Sequence, residues 1–208
     1  MNTTNVFQDE ELQACIRFHG HFCPGLAIGF RASKALLGTL GADRAGDEEL
    51  VAIVETDACS ADAVQVMTGC TFGKGNFFYL DHGKHGFTLG SRKSGRAVRA
   101  CLRPGDHLFN AGFVGLFEKM QSDTATHAER EDFLRLRDIT GRHILDMESG
   151  TLFTIKEISL QLPSKARIVR SGVCSVCGEP VRSDYLVSLG GAMTCPSCRK
   201  PSDQAGPQ

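Results

Sequence analysis

The sequence lacks both a strong net charge and any long apolar run. Its 208 residues include 23 Lys and Arg against 24 Asp and Glu, which gives a formal net charge of −1. Such a balance provides no overall field that would attract nucleic acid or an anionic membrane surface. The longest apolar stretches are far shorter than the roughly 20 residues that a membrane-spanning helix needs. We therefore expect a chain without a membrane span.

The first residues also lack the features of a secretory leader. The segment MNTTNVFQDEELQAC has no basic region followed by an apolar core. We therefore expect a cytoplasmic protein. Thiols stay reduced in such a compartment. The nine cysteines thus favour metal binding or reactive thiols over disulfides.

Hydrophobic periodicity predicts a mixture of helices and strands. Helices are predicted over residues 8–18, 24–40, 60–69 (capped by Ser60), 109–120 and 125–148, the last as one or two helices broken near Gly141. Strands are predicted over 49–57, 96–103 and 152–162, together with a hairpin over 76–92 whose tip exposes His82 and His85 to solvent. This order is typical of an α+β core with a mixed sheet and packed helices.

Pro163 and Ser164 mark a predicted domain boundary. The core domain then covers residues 1–163, a small metal-binding module covers 164–200, and 201–208 form a disordered tail. No internal repeat is present in the sequence.

The module after the boundary contains two C-x2-C pairs. Cys174 and Cys177 form the first pair, and Cys195 and Cys198 form the second, 17 residues later. This spacing is typical of a structural zinc site in which four thiolates close the coordination shell. We therefore predict a zinc-ribbon or treble-clef-like fold. The alternatives are an iron–sulfur cluster, a redox pair, or a basic finger that binds nucleic acid, although Tyr185 is its one aromatic residue.

The segment FHGHFCPG predicts a turn that leads into a helix. Pro24 suits the first helical position, which places Cys23 at or next to the N-cap. A thiol at a helix N-terminus has a lowered pKa. The sequence therefore predicts a thiolate-prone cysteine with His19 and His21 beside it.

A second cysteine, Cys59, also comes immediately before a predicted helix, with Asp57 and Asp62 nearby. We predict that Cys23, Cys59 and His21 share one pocket, with the two sulfurs about 4 Å apart, as two zinc ligands at ~2.3 Å each would be. Cysteine and histidine donors suit zinc, nickel or iron(II), either as a bound metal or as a catalytic centre. The plainer alternative is that both cysteines are small buried hydrophobes.

The remaining cysteines of the core carry weaker signals. Cys15 and Cys101 lie on apolar faces and are predicted to be core residues. Cys70 lies in the glycine-rich segment CTFGKGN, in which Lys74 could hold an anionic group of a cofactor against backbone N–H donors. The segment is not a Walker motif, so the prediction of a cofactor site there is a weak one.

Three segments together resemble the family of the E-type subunit of formylmethanofuran dehydrogenase. They are FHGHFCPGLAIGFRA, ETDACSADAVQVMTGCTFGKGN, and the C-terminal CSVCGEPV with TCPSC, and the resemblance extends from about residue 10 to about residue 200. It implies an α+β core domain with a C-terminal zinc finger, association as a dimer, and a metal-associated site. The residues that match the site are His19, His21 and Cys23, with Cys59 as their neighbour.

The family name refers to a molybdenum- or tungsten-dependent enzyme that reduces carbon dioxide onto methanofuran. This chain has no feature that would bind a pterin cofactor or iron–sulfur clusters for that chemistry. We therefore expect a metal-binding accessory or regulatory protein for such an oxidoreductase partner. One alternative is an enzyme that uses Cys23 as a nucleophile or as a ligand to a catalytic metal. A second is a regulator that binds nucleic acid through its basic finger.

The segment LFNAGFVGLF (108–117) is rich in Phe and Gly for a surface helix. Such a stretch belongs either to a core or to an interface. Together with the family resemblance, it predicts a homodimer.

Overall fold

The computed structural model of the protein describes residues 8–105, 108–109 and 111–199. It divides into two units that meet between Lys165 and Ala166. The tail predicted over 201–208 lies outside the described residues. No helix in the described part of the chain is long and apolar enough to cross a bilayer.

The larger unit is built on a five-stranded mixed sheet with the order β2-β1-β3-β4-β5. The strands are β1 (Leu50–Val54), β2 (Phe77–Tyr79), β3 (Gly86–Ser91), β4 (Ala97–Leu102) and β5 (Phe153–Ile158). Only the β1–β2 pairing is parallel among the pairings of this sheet in the described residues. The predicted α+β class with a mixed sheet is therefore confirmed.

The hairpin predicted over residues 76–92 is wrong. β2 and β3 lie on opposite edges of β1, so that Ala52 pairs with Phe77 on one side and with Leu89 on the other. The apolar sequence LVAIV of β1 favours a central place with a partner on each edge. Local alternation identifies the two flanking strands, but it carries no information about a third strand lying between them.

Six α-helices accompany the sheet in the described residues. They are α1 (Glu10–His19), α2 (Pro24–Leu40), α3 (Ser60–Thr68), α4 (Ala111–Gln121), α5 (His127–Asp146) and the single turn α6 (Ser149–Leu152). Helix α2 is the most buried of them, with ten buried residues, and it packs against α1, α3, α5 and the sheet. Its central position makes α2 a rigid base for the residues at its N-terminus.

The break predicted near Gly141 is wrong, because α5 runs unbroken from His127 to Asp146. A Cβ atom on Gly141 would lie 2.6 Å from the ring of Phe22. The glycine is therefore needed for a close approach of α5 to the turn before α2. It does not end the helix.

Glu55 is a buried acidic residue just after β1, and it links two other parts of the sheet. Its carboxylate accepts hydrogen bonds from Arg99 Nε at 2.6 Å and from His82 Nδ1 at 3.3 Å. The bond from Arg99, followed by that from His82, lowers the pKa of Glu55 below its ordinary 4.5. His82 is exposed, as predicted, but it is tied to Glu55.

Glu55→Gln is expected to lower the free energy of unfolding at pH 7 by about 1–3 kcal/mol, the range for hydrogen bonds to charged groups. Because the folded-state pKa lies below 4.5, this contribution is present above pH 4.5 and is lost as the pH falls through the folded-state value. Urea unfolding from pH 7 to pH 3 measures it. Glu157→Gln, which removes an exposed partner of Arg96, is the control and should change stability little. A constant difference between wild type and Glu55→Gln at every pH would contradict the ion pair.

The smaller unit consists of two short hairpins and a helical turn that carries the second cysteine pair. Strand β6 (Ser171–Val173) pairs with β7 (Pro180–Arg182), and β8 (Val187–Leu189) pairs with β9 (Ala192–Thr194). A 3-10 turn over Pro196–Cys198 follows. So little regular structure leaves the cysteine cluster as the natural centre of this unit.

Candidate functional site

The N-terminus of α2 holds Cys23 as predicted. Cys23 is the N-cap, and its sulfur accepts a hydrogen bond from the Leu26 backbone N–H at 3.4 Å. Pro24 occupies the first turn, where its missing N–H costs no hydrogen bond. Gly20, in the left-handed conformation with φ 96°, ends α1 directly after His19. The short turn between the helices brings His19 back to Cys23, with His19 Nε2 3.8 Å from Cys23 Sγ.

His19 is oriented by a carboxylate from a third helix. Its Nδ1 lies 2.8 Å from Asp62 Oδ2, in the first turn of α3. When Nδ1–H donates to this carboxylate, the Nε2 lone pair faces the sulfur of Cys23. Histidines that bind metals commonly have such a carboxylate partner, which fixes the tautomer and raises the basicity of the ligand.

Cys59 reaches the same place from the N-terminus of α3. It is the N-cap residue but makes no capping hydrogen bond, and Ser60, predicted as the cap, is instead a buried residue of the helix whose Oγ has no partner in the described structure. The glycines of α2 allow the close approach. A Cβ on Gly25 would lie 3.1 Å from Cys59 Cβ, and one on Gly29 would lie 2.2 Å from Ser60 O.

The two thiols interact with each other. The hydrogen bond from the Cys23 S–H lowers the pKa of Cys59 to about 5, with a further contribution from His19. The same bond, together with burial, raises the pKa of Cys23. The prediction of a low pKa at Cys23 is therefore wrong. The thiolate belongs to Cys59, because the partner that donates the proton also competes with it for the charge.

His21 completes a group of donor atoms. The nearest donor atoms of His19, His21 and Cys23 all lie within 4.8 Å of one another, a group that could hold a metal ion. The His21 and His19 rings are 4.6 Å apart between centroids, and burial, followed by the charge of His19, lowers the pKa of His21. His21 is exposed on one side, where it lines a pocket.

The pocket has a volume of about 450 Å³ and contacts both cysteines. Its polar lining consists of side chains that can bind a metal, carry a proton or bind an anion: His21, Cys23, Cys59, His85 and Arg137. Its apolar lining consists of Pro24, Gly25, Ile28, Phe109, Phe113, Val114, Phe117 and Phe133. The arrangement is typical of a small-molecule site, with an apolar body and a few placed polar groups.

His85 is the residue of this pocket that sequence reasoning missed, since it was predicted to be solvated. The segment before β3 is held against the end of β1 by the bonds Lys84 N–H to Glu55 O and Glu55 N–H to Gly86 O. This places His85 in the pocket wall, where burial lowers its pKa. Its Nδ1 is buried with no partner in the described residues, so a bound metal, water or ligand could satisfy it. Only the later pairing of β3 with β1 could have revealed this position.

The other candidate residues of the core lie elsewhere. Cys15 is fully buried, and burial raises its pKa to about 12, which confirms it as a core residue. Cys101 is only partly buried on β4. Cys70 is buried in the core, and Lys74 donates to the backbone oxygens of Gly46 and Asp47 at 3.3 Å each. Neither Cys70 nor Lys74 lines the pocket of Cys23, and their role in cofactor binding stays a prediction.

The four cysteines of the smaller unit also form one cluster. The sulfurs of Cys174, Cys177, Cys195 and Cys198 lie within 4.8 Å of one another and could hold a metal ion. The Cys177 and Cys195 sulfurs are 4.0 Å apart, close to the ~3.8 Å between two thiolates of a tetrahedral zinc. Backbone N–H groups around Cys174 lower its pKa to about 6, which favours the thiolate form that a metal needs.

The geometry can now be compared with known proteins. The family model described as "FmdE, Molybdenum formylmethanofuran dehydrogenase operon" matches residues 18–154, which include both cysteines of the pocket, their two histidines and His85. The chain belongs to the FmdE family. The resemblance seen in the sequence is therefore confirmed.

Two individual proteins resemble this FmdE chain. A probable S-adenosyl-L-methionine-binding protein of Archaeoglobus fulgidus is 33% identical over 171 residues, and the alignment covers 78% of this chain but 46% of the relative. The chain thus spans about half the length of that relative. The crystal structure of an FmdE-like protein of tungsten formylmethanofuran dehydrogenase from Syntrophus aciditrophicus has a TM-score of 0.59, with 23% identity, 95% of this chain and 94% of that chain covered. This likeness supports the fold.

Proposed function

We propose that this FmdE chain is a metal-binding accessory protein for a molybdenum or tungsten oxidoreductase, with its working site at Cys23, Cys59, His19 and His21. The observation that carries the proposal is the His19 imidazole, which is held by Asp62 on one side and faces Cys23 on the other. A buried histidine in this setting is prepared to bind a metal. The description of the family model, which names a dehydrogenase operon, supports the accessory role.

The smaller unit would hold zinc in a purely structural site. Its four thiolates would fill the tetrahedron and leave no position for a ligand. The core site differs because its donors lie at the floor of a pocket. A metal there would keep a position open toward the pocket. We propose that this open position serves metal transfer or ligand binding.

The pocket also favours a second candidate function, a metal- or thiol-dependent enzyme. An open coordination position next to a 450 Å³ pocket is what a catalytic zinc site requires. In that case Cys59, as the thiolate of the pair, is the better candidate for a nucleophile than Cys23. The printed name of the Archaeoglobus relative makes S-adenosyl-L-methionine one ligand to test. Turnover of a thiol or carbonyl substrate would favour the enzyme.

Metal analysis of variants tests the core site. Protein saturated with zinc or cobalt(II) and then desalted is expected to hold two ions per chain, and Cys23→Ser or Cys59→Ser is expected to hold one. Each variant removes a sulfur donor from the pocket but leaves the four cysteines of the smaller unit intact. Cobalt(II) adds a second readout, because the sulfur-to-metal absorption of the core site should disappear with either cysteine.

Cys101→Ser is the matched control, since Cys101 is a partly buried thiol of the same unit that lies outside the pocket. It should keep both ions. Two ions per chain in both pocket variants, with unchanged cobalt spectra, would refute the proposed core site.

A further inference from the structure

We infer that the pocket beside Cys23 and Cys59 takes a small amphipathic anion, with an apolar or aromatic body and a terminal carboxylate. The inference extends the proposed function, because the pocket's floor is the proposed metal site. It depends on different residues, however, namely the aromatic wall and Arg137. The two can therefore fail separately.

The wall of the pocket is aromatic and partly uncovered. The Phe113 ring stacks on Phe109, Phe117 and Phe133, with centroids 5.7, 6.3 and 5.5 Å away. Phe117 and Val114 line the pocket, yet they remain 44% and 41% exposed. Apolar surface left in water is costly. A ligand with an apolar body would cover it.

The charges around the pocket have one sign. Arg137 contributes a guanidinium from α5, and His21 and His85 contribute imidazoles that are neutral or positive. No carboxylate is among the described residues that line the pocket. A ligand with a negative group is therefore favoured. A cationic ligand would be repelled in a space where low polarity strengthens the repulsion.

Arg137 has donors available for such a group. Its bonds to protein carboxylates in the described structure go from Nε and Nη2 to Asp138 Oδ1 at 3.3 Å each, and Asp138 is half exposed. A long ion pair with an exposed carboxylate contributes little. Nη1 takes no part in it. A ligand carboxylate that lies against the apolar wall can bond to Arg137 as a charge-assisted pair.

Three probes that share one body and differ in charge test the inference. They are 4-phenylbutyrate, 4-phenylbutanol and 4-phenylbutylamine, titrated into the full zinc-loaded chain by calorimetry or by chemical-shift changes of labelled protein. We expect saturable binding of the acid with an affinity at least tenfold above that of the alcohol, and no binding of the amine. Arg137→Gln should remove the preference for the acid. Arg135→Gln, an exposed position of the same helix paired with Asp132, should leave it unchanged.

The same titration on Cys23→Ser separates the two proposals. If this variant loses the core metal but still prefers the acid, the anion site stands without the metal. If it keeps both metals, the metal proposal fails, and the anion site is judged by Arg137→Gln alone. Equal affinities for the three probes, or a preference for the acid that survives in Arg137→Gln, would overturn the inference. So would binding of none of them, or tighter binding of S-adenosyl-L-methionine, which carries a net positive charge.

Discussion

Cys174→Ser is expected to release the metal of the smaller unit and to unfold residues 171–198. Cys174 is the most buried of the four cysteines, and its sulfur accepts hydrogen bonds from the Val176 and Cys195 N–H groups at 3.4 Å each. Structural zinc binding supplies about 10–16 kcal/mol of folding free energy in small metal-dependent units. Two short hairpins cannot replace it.

The measurement combines metal content with an amide correlation spectrum of labelled protein. The variant should lose one ion per chain, and the signals of residues 171–198 should collapse to the shifts of an unfolded chain, while those of residues 10–158 persist. Ser175→Ala, at an exposed neighbouring position, should change neither. Full metal content with a native spectrum in Cys174→Ser would contradict the assignment.

Gly29→Ala is expected to destabilise the larger unit and to destroy the core site together. A Cβ at this position would lie 2.2 Å from Ser60 O and 2.7 Å from Ser60 Cα. These are backbone atoms that cannot rotate away, so α2 and α3 must separate. Overpacking of this kind costs about 1–3 kcal/mol and sometimes more. Because Ser60 follows Cys59, the same movement takes Cys59 away from Cys23.

Urea unfolding and metal analysis measure both effects. We expect a lower midpoint and the loss of one ion per chain. Gly38→Ala is the matched control, because it lies on the same helix with nothing within 4 Å of the added Cβ. It should gain up to about 1 kcal/mol from better helix propensity and keep both ions. A stable Gly29→Ala variant with two ions per chain would show that the two helices are not in close contact.

Local chemistry explains the parts of the site that the sequence predicts. Pro24 marks the start of α2 and therefore the N-cap position of Cys23. The short spacing between His19 and Cys23 contains one turn, which limits how far apart they can lie. The C-x2-C pairs specify their own geometry. In each case the residues that decide the structure lie within a few positions of one another.

The parts that were missed depend on contacts distant in sequence. His85 reaches the pocket because the segment before β3 bonds back to Glu55 at the end of β1. Gly141 is needed because Phe22, far away in the chain, packs against it. The thiolate belongs to Cys59 because Cys23 donates a hydrogen bond to it. Periodicity and capping signals describe one element at a time, so they contain no information about such partners.

The most direct test is an anomalous diffraction map, recorded at the zinc edge, of crystals of the full chain saturated with zinc. Two peaks are expected in each chain. One should lie among the four cysteines of the smaller unit. The other should lie within bonding distance of His19 Nε2, Cys23 Sγ and Cys59 Sγ. A single peak in the smaller unit, with the pocket cysteines free of metal, would contradict the metal site on which the proposed function depends.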